Sequence, residues 1–361
     1  MAINSVTTRR KSNIELLRIV AMFFIVAHHF VVNSGLTDGF DPLHTNARQL
    51  FLSFWGCGGK IGIIAFVAIS GYFMCQSQLT LKRYLKVLLV VLFYSVCGYL
   101  FICAVGYDQF SVKKLCNKVL YLEFFYGANE SFTPAFLWMY LLVPFVNVFL
   151  KNATRRQCYL CLGVLFGLFT VCGTINPSRV GGGYHWVACL TYFYIIGAVI
   201  RMHPFKWMDN NRLCLFLLAA SLLATFLSIA FTLYIAHKRC VDALCGHHFV
   251  SGANILAISN GVLLFLVFKN LKMGYSKSIN LIASTCFGVL LIHANSNEMR
   301  QLLWRDIVRA PDLMKLPTIE LFVAALLIPI AVFVVCSVID ILRIQFVERP
   351  LFGWFFERKS Q

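Results

Sequence analysis

The stretch SNIELLRIVAMFFIVAHHF, residues 12–30, is apolar enough to cross a membrane, yet it carries several ionisable side chains. These side chains are Glu15, Arg18, His28 and His29. Ionisable groups at membrane depth are costly unless they face a protein interior or a water-filled cavity, so they mark a functional site by default. The stretch therefore predicts a membrane-spanning helix and a site on one of its faces.

The spacing of the ionisable residues predicts which of them act together. Steps of about 100° per residue bring Arg18 and His29 to within roughly 20° of each other, about 16 Å apart along the axis. We therefore expect Arg18 and His29 to line one common solvent-accessible passage across the membrane. Glu15 precedes Arg18 by one helical turn, where the two side chains can pair. His28 points about 100° away from His29, so the two imidazoles cannot occupy the same site.

The chemistry of these residue types suggests a reaction. A neutral imidazole such as His29 can accept a proton from a hydroxyl near neutral pH, or can itself be acylated. The guanidinium of Arg18 can bind a phosphate or carboxylate through two parallel hydrogen bonds, with Glu15 holding it in place. A structural ion pair with a hydrogen-bonded core histidine is the alternative interpretation.

The composition indicates a polytopic membrane protein, because 59% of the 361 residues are hydrophobic and only 13% are charged. The first apolar segment is too long for a cleaved signal peptide and is expected to be retained as an anchor helix. Apolar segments long enough to span predict about ten transmembrane helices in an all-α fold. They lie near residues 14–33, 60–77, 85–106, 133–150, 157–174, 186–200, 213–236, 251–268, 280–296 and 317–342.

The distribution of basic residues predicts the orientation. An even number of spans puts both termini on one side, and most of the 32 Lys and Arg residues lie on that side, which favours the cytoplasm. The spans use nearly all of the length, so we expect one integral-membrane domain over residues 1–361, with its core at about 12–353. No appended soluble domain is expected.

The net charge of +17 does not indicate a nucleic-acid partner. In so apolar a chain, Lys and Arg flank the spans and face anionic membrane lipids. The outer segment 297–316 departs from the charge rule, because it carries cations that could attract an anionic substrate: Arg300, Arg305, Arg309 and Lys315. Cys158 and Cys161 form a CxxC pair, but no second pair with ligand spacing follows, so no metal site is predicted.

Five further motifs follow the opening helix. They are GKIGIIAFVAISGYFM at 59–74, LKRYLKVLL at 81–89, FLWMYLLVPFVN at 136–147, TCFGVLLIHA at 285–294, and Glu348-Arg349-Pro350. Together with the opening Glu15, Arg18 and His29 pattern, these motifs resemble, in order, those of the membrane-bound acyltransferase 3 family. The resemblance extends from residue 12 to about residue 353.

The resemblance implies an activity and its substrates. Members of the family transfer an acyl group, usually acetyl from cytoplasmic acetyl-CoA, to a hydroxyl of a glycan or another acceptor. For this chain, it implies a multi-pass O-acyltransferase of the bacterial plasma membrane. The expected partners are acyl-CoA, membrane lipids and a glycan or lipid-linked sugar acceptor, such as a cell-envelope or exported polysaccharide.

The resemblance also implies roles for particular residues. His29 would be the catalytic group, Arg18 would bind the donor or steady the reacting oxygen, and Glu15 would hold Arg18. The candidates for binding the coenzyme, together with Arg18, are Lys82, Arg83 and Lys86. The candidates for binding the acceptor are Ser70, Trp138, Tyr140 and His293.

Simpler roles stay open for several of these residues. The basic stretch of the family often holds paired arginines, whereas this chain has Lys82 and Arg83, which could equally be ordinary charges flanking a span. Trp138 and Tyr140 could belong to an interfacial aromatic belt, and His293 could be a hydrogen-bonded structural residue. Glu348 is expected to bind inner cations rather than to act as a catalytic acid.

A transporter or flippase of lipid-linked sugars is the alternative function. Such a protein would also place charged residues inside a helix bundle. That class usually shows two related halves with interrupted helices in matching places. The sequence shows no such internal repeat, so acyl transfer is the preferred hypothesis.

Overall fold

A computed structural model describes residues 11–40, 46–127, 131–175, 185–239 and 252–350. Within these ranges the chain forms helices and turns and contains no strand, so the predicted all-α class is confirmed. The helices, numbered here in chain order, are α1 (Ser12–Val32), α2 (Ala47–Gly56), α3 (Gly58–Met74), α4 (Leu81–Ala104), α5 (Val112–Val119), α6 (Glu123–Tyr126), α7 (Phe132–Asn152), α8 (Arg155–Ile175), α9 (Trp186–Met202), α10 (Asn211–Arg239), α11 (Ile255–Asn270), α12 (Lys277–His293), α13 (Asn297–Ile307) and α14 (Thr318–Arg343).

Many of these helices are suited to a membrane. Six are long and apolar enough to cross one, and α2 with α3 together make a seventh such span. The pair α12 and α13 would make an eighth span if that pair, bent by 99°, counts as one. The apolar helices α9 and α11 are shorter, at 17 and 16 residues. The predicted span at 60–77 begins earlier, because α2 and α3 together form a 28-residue span over Ala47–Met74. The total of about ten spans and the cytoplasmic termini stay predictions.

Helix α1 lies in the middle of the bundle. It packs against α3 and α12 and also contacts α2, α11 and α14. Its apolar residues Leu17, Ala21 and Met22 have no exposed surface. The helix ends where the N–H of Asn33 donates to the carbonyl of His29 at 3.0 Å, and the chain then turns at Gly35 with a φ of +84°, which glycine adopts without steric cost. His29 therefore lies in the last turn of a well-packed helix.

Helix α3 packs closely against α1 and α9 because glycines lie at the contact points. A Cβ placed on Gly62 would lie 2.4 Å from the carbonyl oxygen of Ala21, and one on Gly71 would lie 1.9 Å from that of Tyr194. On the facing helix, a Cβ on Gly197 would lie 2.0 Å from the carbonyl oxygen of Ala68. Small residues at such crossings let helix backbones approach within a membrane.

We expect Gly197→Ala to destabilise the protein, because the new methyl group meets backbone that cannot rotate away. Inserting an extra carbon into a packed core typically costs about 1–3 kcal/mol. The thermal unfolding midpoint of the purified protein in detergent should fall accordingly. Gly163→Ala in α8 is the matched control, since a Cβ there would meet no atom within 4 Å. Equal unfolding midpoints for the two variants would contradict the proposed α3–α9 contact.

Candidate functional site

A cavity of about 620 Å³ opens beside the C-terminal end of α1. Such a volume lies within the range of about 300–1,000 Å³ that is typical of small-molecule sites. The wall is formed by α1, by α3 to α7, and by α9, α12 and α13 with neighbouring segments. It includes His28, His29, Lys60, Tyr121, Trp186, Asn295 and Arg300. We call this space the His29 cavity.

The imidazole of His29 is in hydrogen-bond contact with a second histidine. Its Nδ1 lies 2.9 Å from Nε2 of His293, at the end of α12. The Nδ1 of His293 lies 2.6 Å from the carbonyl oxygen of Val289, and the His293 ring packs edge-on against Trp304 with centroids 6.4 Å apart. His293 has no exposed surface and is not part of the cavity wall. The structure thus places His293 behind His29, away from the space where an acceptor would bind.

His28 has a different hydrogen-bond partner from His29, but the prediction that the two imidazoles cannot share a site is wrong, because both border the cavity with ring centroids 5.6 Å apart. The Nδ1 of His28 lies 2.5 Å from the carbonyl oxygen of Gly56, at the end of α2. This contact joins α1 to the α2–α3 break. His28 also borders the cavity, so its imidazole shapes the wall while His29 makes the contact with His293.

Three cations lie in the wall of the His29 cavity: Lys60, Arg300 and Lys118, and the last of these pairs with Glu123. The Nζ atom of Lys60 lies 4.8 Å from the ring centroid of Trp186, a cation–π contact. Arg300 donates through Nη1 to Oδ1 of Asn297 at 3.0 Å, while its buried Nε has no hydrogen-bond partner among the described residues. The sequence predicts Arg300 as an anion-attracting residue, but it does not predict that Lys60 belongs to this site. Lys60 could have been identified from its position at the start of the predicted second span, because ionisable residues inside a span mark functional sites.

A second cluster surrounds Arg18 on the opposite half of α1. The Nη1 atom of Arg18 lies 3.1 Å from Oε2 of Glu15, so the predicted pair is formed. Tyr140 hydrogen-bonds to Ser70 and lies close enough to Arg18 to interact with its charge. We call Glu15, Arg18, Ser70 and Tyr140 the Arg18 cluster. Ser70 and Tyr140, which the resemblance suggested for the acceptor, therefore lie near Arg18.

The depth of Ser70 follows from how α3 packs on α1. Gly59 of α3 meets His28, and Gly62 meets Ala21 and Ile25, so the two helices run in opposite directions. Eight further residues carry the chain about 12 Å along the axis. This distance places Ser70 at the level of Arg18.

The Arg18 cluster and the His29 cavity are separate in this structure. Met22 and Ile25 lie between Arg18 and His29 on the same face of α1, and they are 0% and 2% exposed. Ile25 borders the cavity, but Arg18 does not. The prediction that Arg18 and His29 line one continuous passage is therefore not met, because packed apolar side chains fill the space between them.

The basic residues at the start of α4 are exposed: Lys82, Arg83 and Lys86. Thr80 caps the N-terminus of α4, and its side chain accepts the N–H of Arg83 at 3.3 Å. The guanidinium of Arg83 donates to the carbonyl of Gln78 at 3.1 Å and also lies within electrostatic range of Tyr140. Arg83 is therefore the basic residue of this stretch that the described contacts connect to the Arg18 cluster.

Lys86 takes part in a network of ion pairs around Glu348. Its Nζ lies 2.5 Å from Oε1 of Glu348, whose Oε2 lies 2.7 Å from Nη1 of Arg343. Arg343 in turn binds Asp340 at 2.6 Å, and the hydroxyl of Tyr94 donates to the same Asp340 oxygen. The expectation that Glu348 binds inner cations matches these contacts. Since this carboxylate already binds Lys86, coenzyme binding by Lys86 would compete with that ion pair.

Trp138 is engaged in packing. Its indole Nε1 donates to the carbonyl of Phe124 at 2.7 Å, and its ring stacks on Phe124 with centroids 4.6 Å apart. It does not border the His29 cavity. The aromatic rings that do border the cavity are Tyr121, Tyr126, Phe132 and Trp186.

Comparison with known proteins gives one finding. A family model of the acyltransferase 3 type, described as an acyltransferase domain, matches residues 11–339. No curated protein was found to match the chain. No solved structure was found to match it either. The matched range contains His29, His293 and the Arg18 cluster.

Proposed function

Because the chain belongs to the acyltransferase 3 family, we propose that it is a multi-pass O-acyltransferase of the bacterial plasma membrane. The donor is an acyl-CoA, with acetyl as the proposed group, on the cytoplasmic side. The acceptor is a hydroxyl of a cell-envelope or exported polysaccharide, or of its lipid-linked precursor. The family match gives the transporter alternative no support.

The observation that carries this proposal is the position of His29 at the wall of a large cavity. A half-buried imidazole can accept the proton of an acceptor hydroxyl as the oxygen attacks the thioester carbonyl. The new C–O bond forms as the C–S bond breaks. The departing thiolate then takes the proton back from His29, so the histidine is restored.

The cavity wall supports binding of a sugar near His29. The half-buried ring of Trp186 lies in the wall and offers an aromatic face to a sugar. Lys60 and Arg300 can attract a carboxylate or phosphate of the acceptor, whereas the third cation in the wall, Lys118, already pairs with Glu123. Glu298 also lies in the wall and reduces the net positive potential there. We propose that the acceptor hydroxyl enters through this cavity.

The Arg18 cluster supports binding of the donor from the other side. Arg18 is 27% exposed and partly held by Glu15, and exposed Arg83 lies nearby. Guanidinium groups bind phosphates through parallel hydrogen bonds. The proposal requires the acyl group to pass Met22 and Ile25. The flexible, unbranched side chain of Met22 is suited to such a movement.

The direct test uses the purified protein in detergent. We expect it to bind acetyl-CoA and to release free CoA slowly, detected by chromatography, because water replaces the missing acceptor. Mass comparison of envelope glycans from cells with and without the gene should then show an ester-linked acyl group that depends on this protein. No acetyl-CoA binding together with unchanged glycans would contradict the proposal.

A further inference from the structure

We propose that His293 is a positioning residue that fixes the proton of His29 on Nδ1, leaving Nε2 of His29 as the basic atom at the cavity. This inference rests on the proposed function, in which His29 accepts the hydroxyl proton. It gives His293 a role other than contact with the acceptor. The role follows from two hydrogen bonds that join Val289, His293 and His29.

The first step concerns His293 and the backbone. A carbonyl oxygen only accepts hydrogen bonds, so the 2.6 Å contact with Val289 requires a proton on Nδ1 of His293. A neutral imidazole carries one ring proton. The Nε2 atom of neutral His293 therefore has a lone pair and no proton.

The second step concerns the contact between the two histidines. Nε2 of His293 lies 2.9 Å from Nδ1 of His29, and since the former can only accept, the latter must donate. Neutral His29 then has its lone pair on Nε2. With both rings neutral, this is the one proton arrangement that satisfies both hydrogen bonds.

The surroundings keep this arrangement in place. His293 is completely buried and packs against the edge of Trp304, which is also completely buried. The Nδ1 of His28 has a different partner, the carbonyl of Gly56 at 2.5 Å. The His29 ring is half-buried and borders the cavity, while its Nδ1 faces His293.

The consequence for the reaction is a base with a defined proton path. The hydroxyl proton moves to Nε2 of His29 as the acceptor oxygen bonds to the acyl carbon. His29 is then an imidazolium whose Nδ1–H still donates to His293, so the hydrogen bond persists and becomes charge-assisted. When the C–S bond breaks, the Nε2 proton goes to the thiolate and the starting arrangement returns.

The test compares His293→Gln with His293→Asn in the full-length protein in detergent, with a glycan acceptor and acetyl-CoA. A glutamine amide oxygen can take the place of Nε2 and accept from His29. The shorter asparagine can reach the Val289 carbonyl but leaves Nδ1 of His29 without an acceptor. We expect kcat of the asparagine variant to be about 10- to 100-fold lower than that of the glutamine variant. The KM for acetyl-CoA should be unchanged, since Arg18, the proposed donor-binding residue, lies about 16 Å from His29 along the axis of α1.

Equal kcat values for the folded glutamine and asparagine variants, whether both high or both low, would overturn the inference. A second measurement needs no His293 variant: ¹⁵N nuclear magnetic resonance of histidine-labelled protein, with His29→Ala identifying the His29 signals. We expect neutral His29 to show a proton on Nδ1 and none on Nε2, and the reverse would overturn the inference. Wild-type transfer by His29→Ala would instead overturn the proposed function, so the two failures are distinguishable.

Discussion

Acyl transfer by His29→Ala is expected to be about 10²- to 10⁴-fold slower than by the wild-type protein, the usual contribution of a general base. The imidazole borders the 620 Å³ cavity, and its Nδ1 lies 2.9 Å from Nε2 of His293. The protein should insert and fold normally, because a small side chain at this cavity wall leaves the buried face of α1 intact. Transfer of radiolabelled acetyl to glycan in membranes, normalised to the amount of folded protein, measures the effect.

His28→Ala is the matched comparison, since it removes the same side chain one position away. It loses the contact with the Gly56 carbonyl, so we expect a lower unfolding midpoint and a smaller loss of transfer. A rate for His29→Ala equal to that of the wild-type protein would contradict the catalytic role. So would a larger loss in His28→Ala than in His29→Ala at equal amounts of folded protein.

The features of the site that could be predicted from the sequence are local ones. Helical geometry places Arg18 and His29 on one face, puts Glu15 in reach of Arg18, and turns His28 aside. The structure shows the Glu15–Arg18 pair at 3.1 Å and separate partners for the two histidines. These relations hold because one continuous helix sets them.

The features that could not be predicted depend on how distant helices pack. His29 and His293 are 264 positions apart, and no periodicity within either helix indicates that their rings meet. The depth of Ser70 and Tyr140 depends on where α3 and α7 lie against α1, which composition does not specify. The sequence predicts Trp138 as an acceptor-binding residue because it does not show which side chains pack on the indole. In the structure, the indole donates to the carbonyl of Phe124.

The missing passage between Arg18 and His29 has a similar cause. Their common face was predicted correctly, but Met22 and Ile25 share that face and are packed by neighbouring helices. A shared helix face is therefore necessary for a shared cavity and is not sufficient. Whether the two ends of α1 communicate depends on side-chain movement at these positions, and kinetics can separate their roles.

Arg18→Lys is expected to raise the KM for acetyl-CoA by about 10- to 100-fold while changing kcat much less. Lysine keeps the positive charge beside Glu15 but loses the planar fork that binds phosphate oxygens in pairs. Hydrogen bonds to charged groups are worth about 1.5–3 kcal/mol each, which corresponds to this range. Initial rates across a range of acetyl-CoA concentrations, at saturating acceptor, measure both constants. The pattern is the opposite of that for His29→Ala, where kcat falls.

Arg155→Lys is the control for the charge-conserving change. Arg155 lies on the same predicted side of the membrane but outside the Arg18 cluster, where it packs on Tyr159 and Phe205 at 5.7 and 5.2 Å from their ring centroids. We expect the KM of the Arg155→Lys variant for acetyl-CoA to equal that of the wild-type protein. If Arg18→Lys also leaves this KM unchanged, Arg18 does not bind the donor, and its pairing with Glu15 serves the packing of α1 alone.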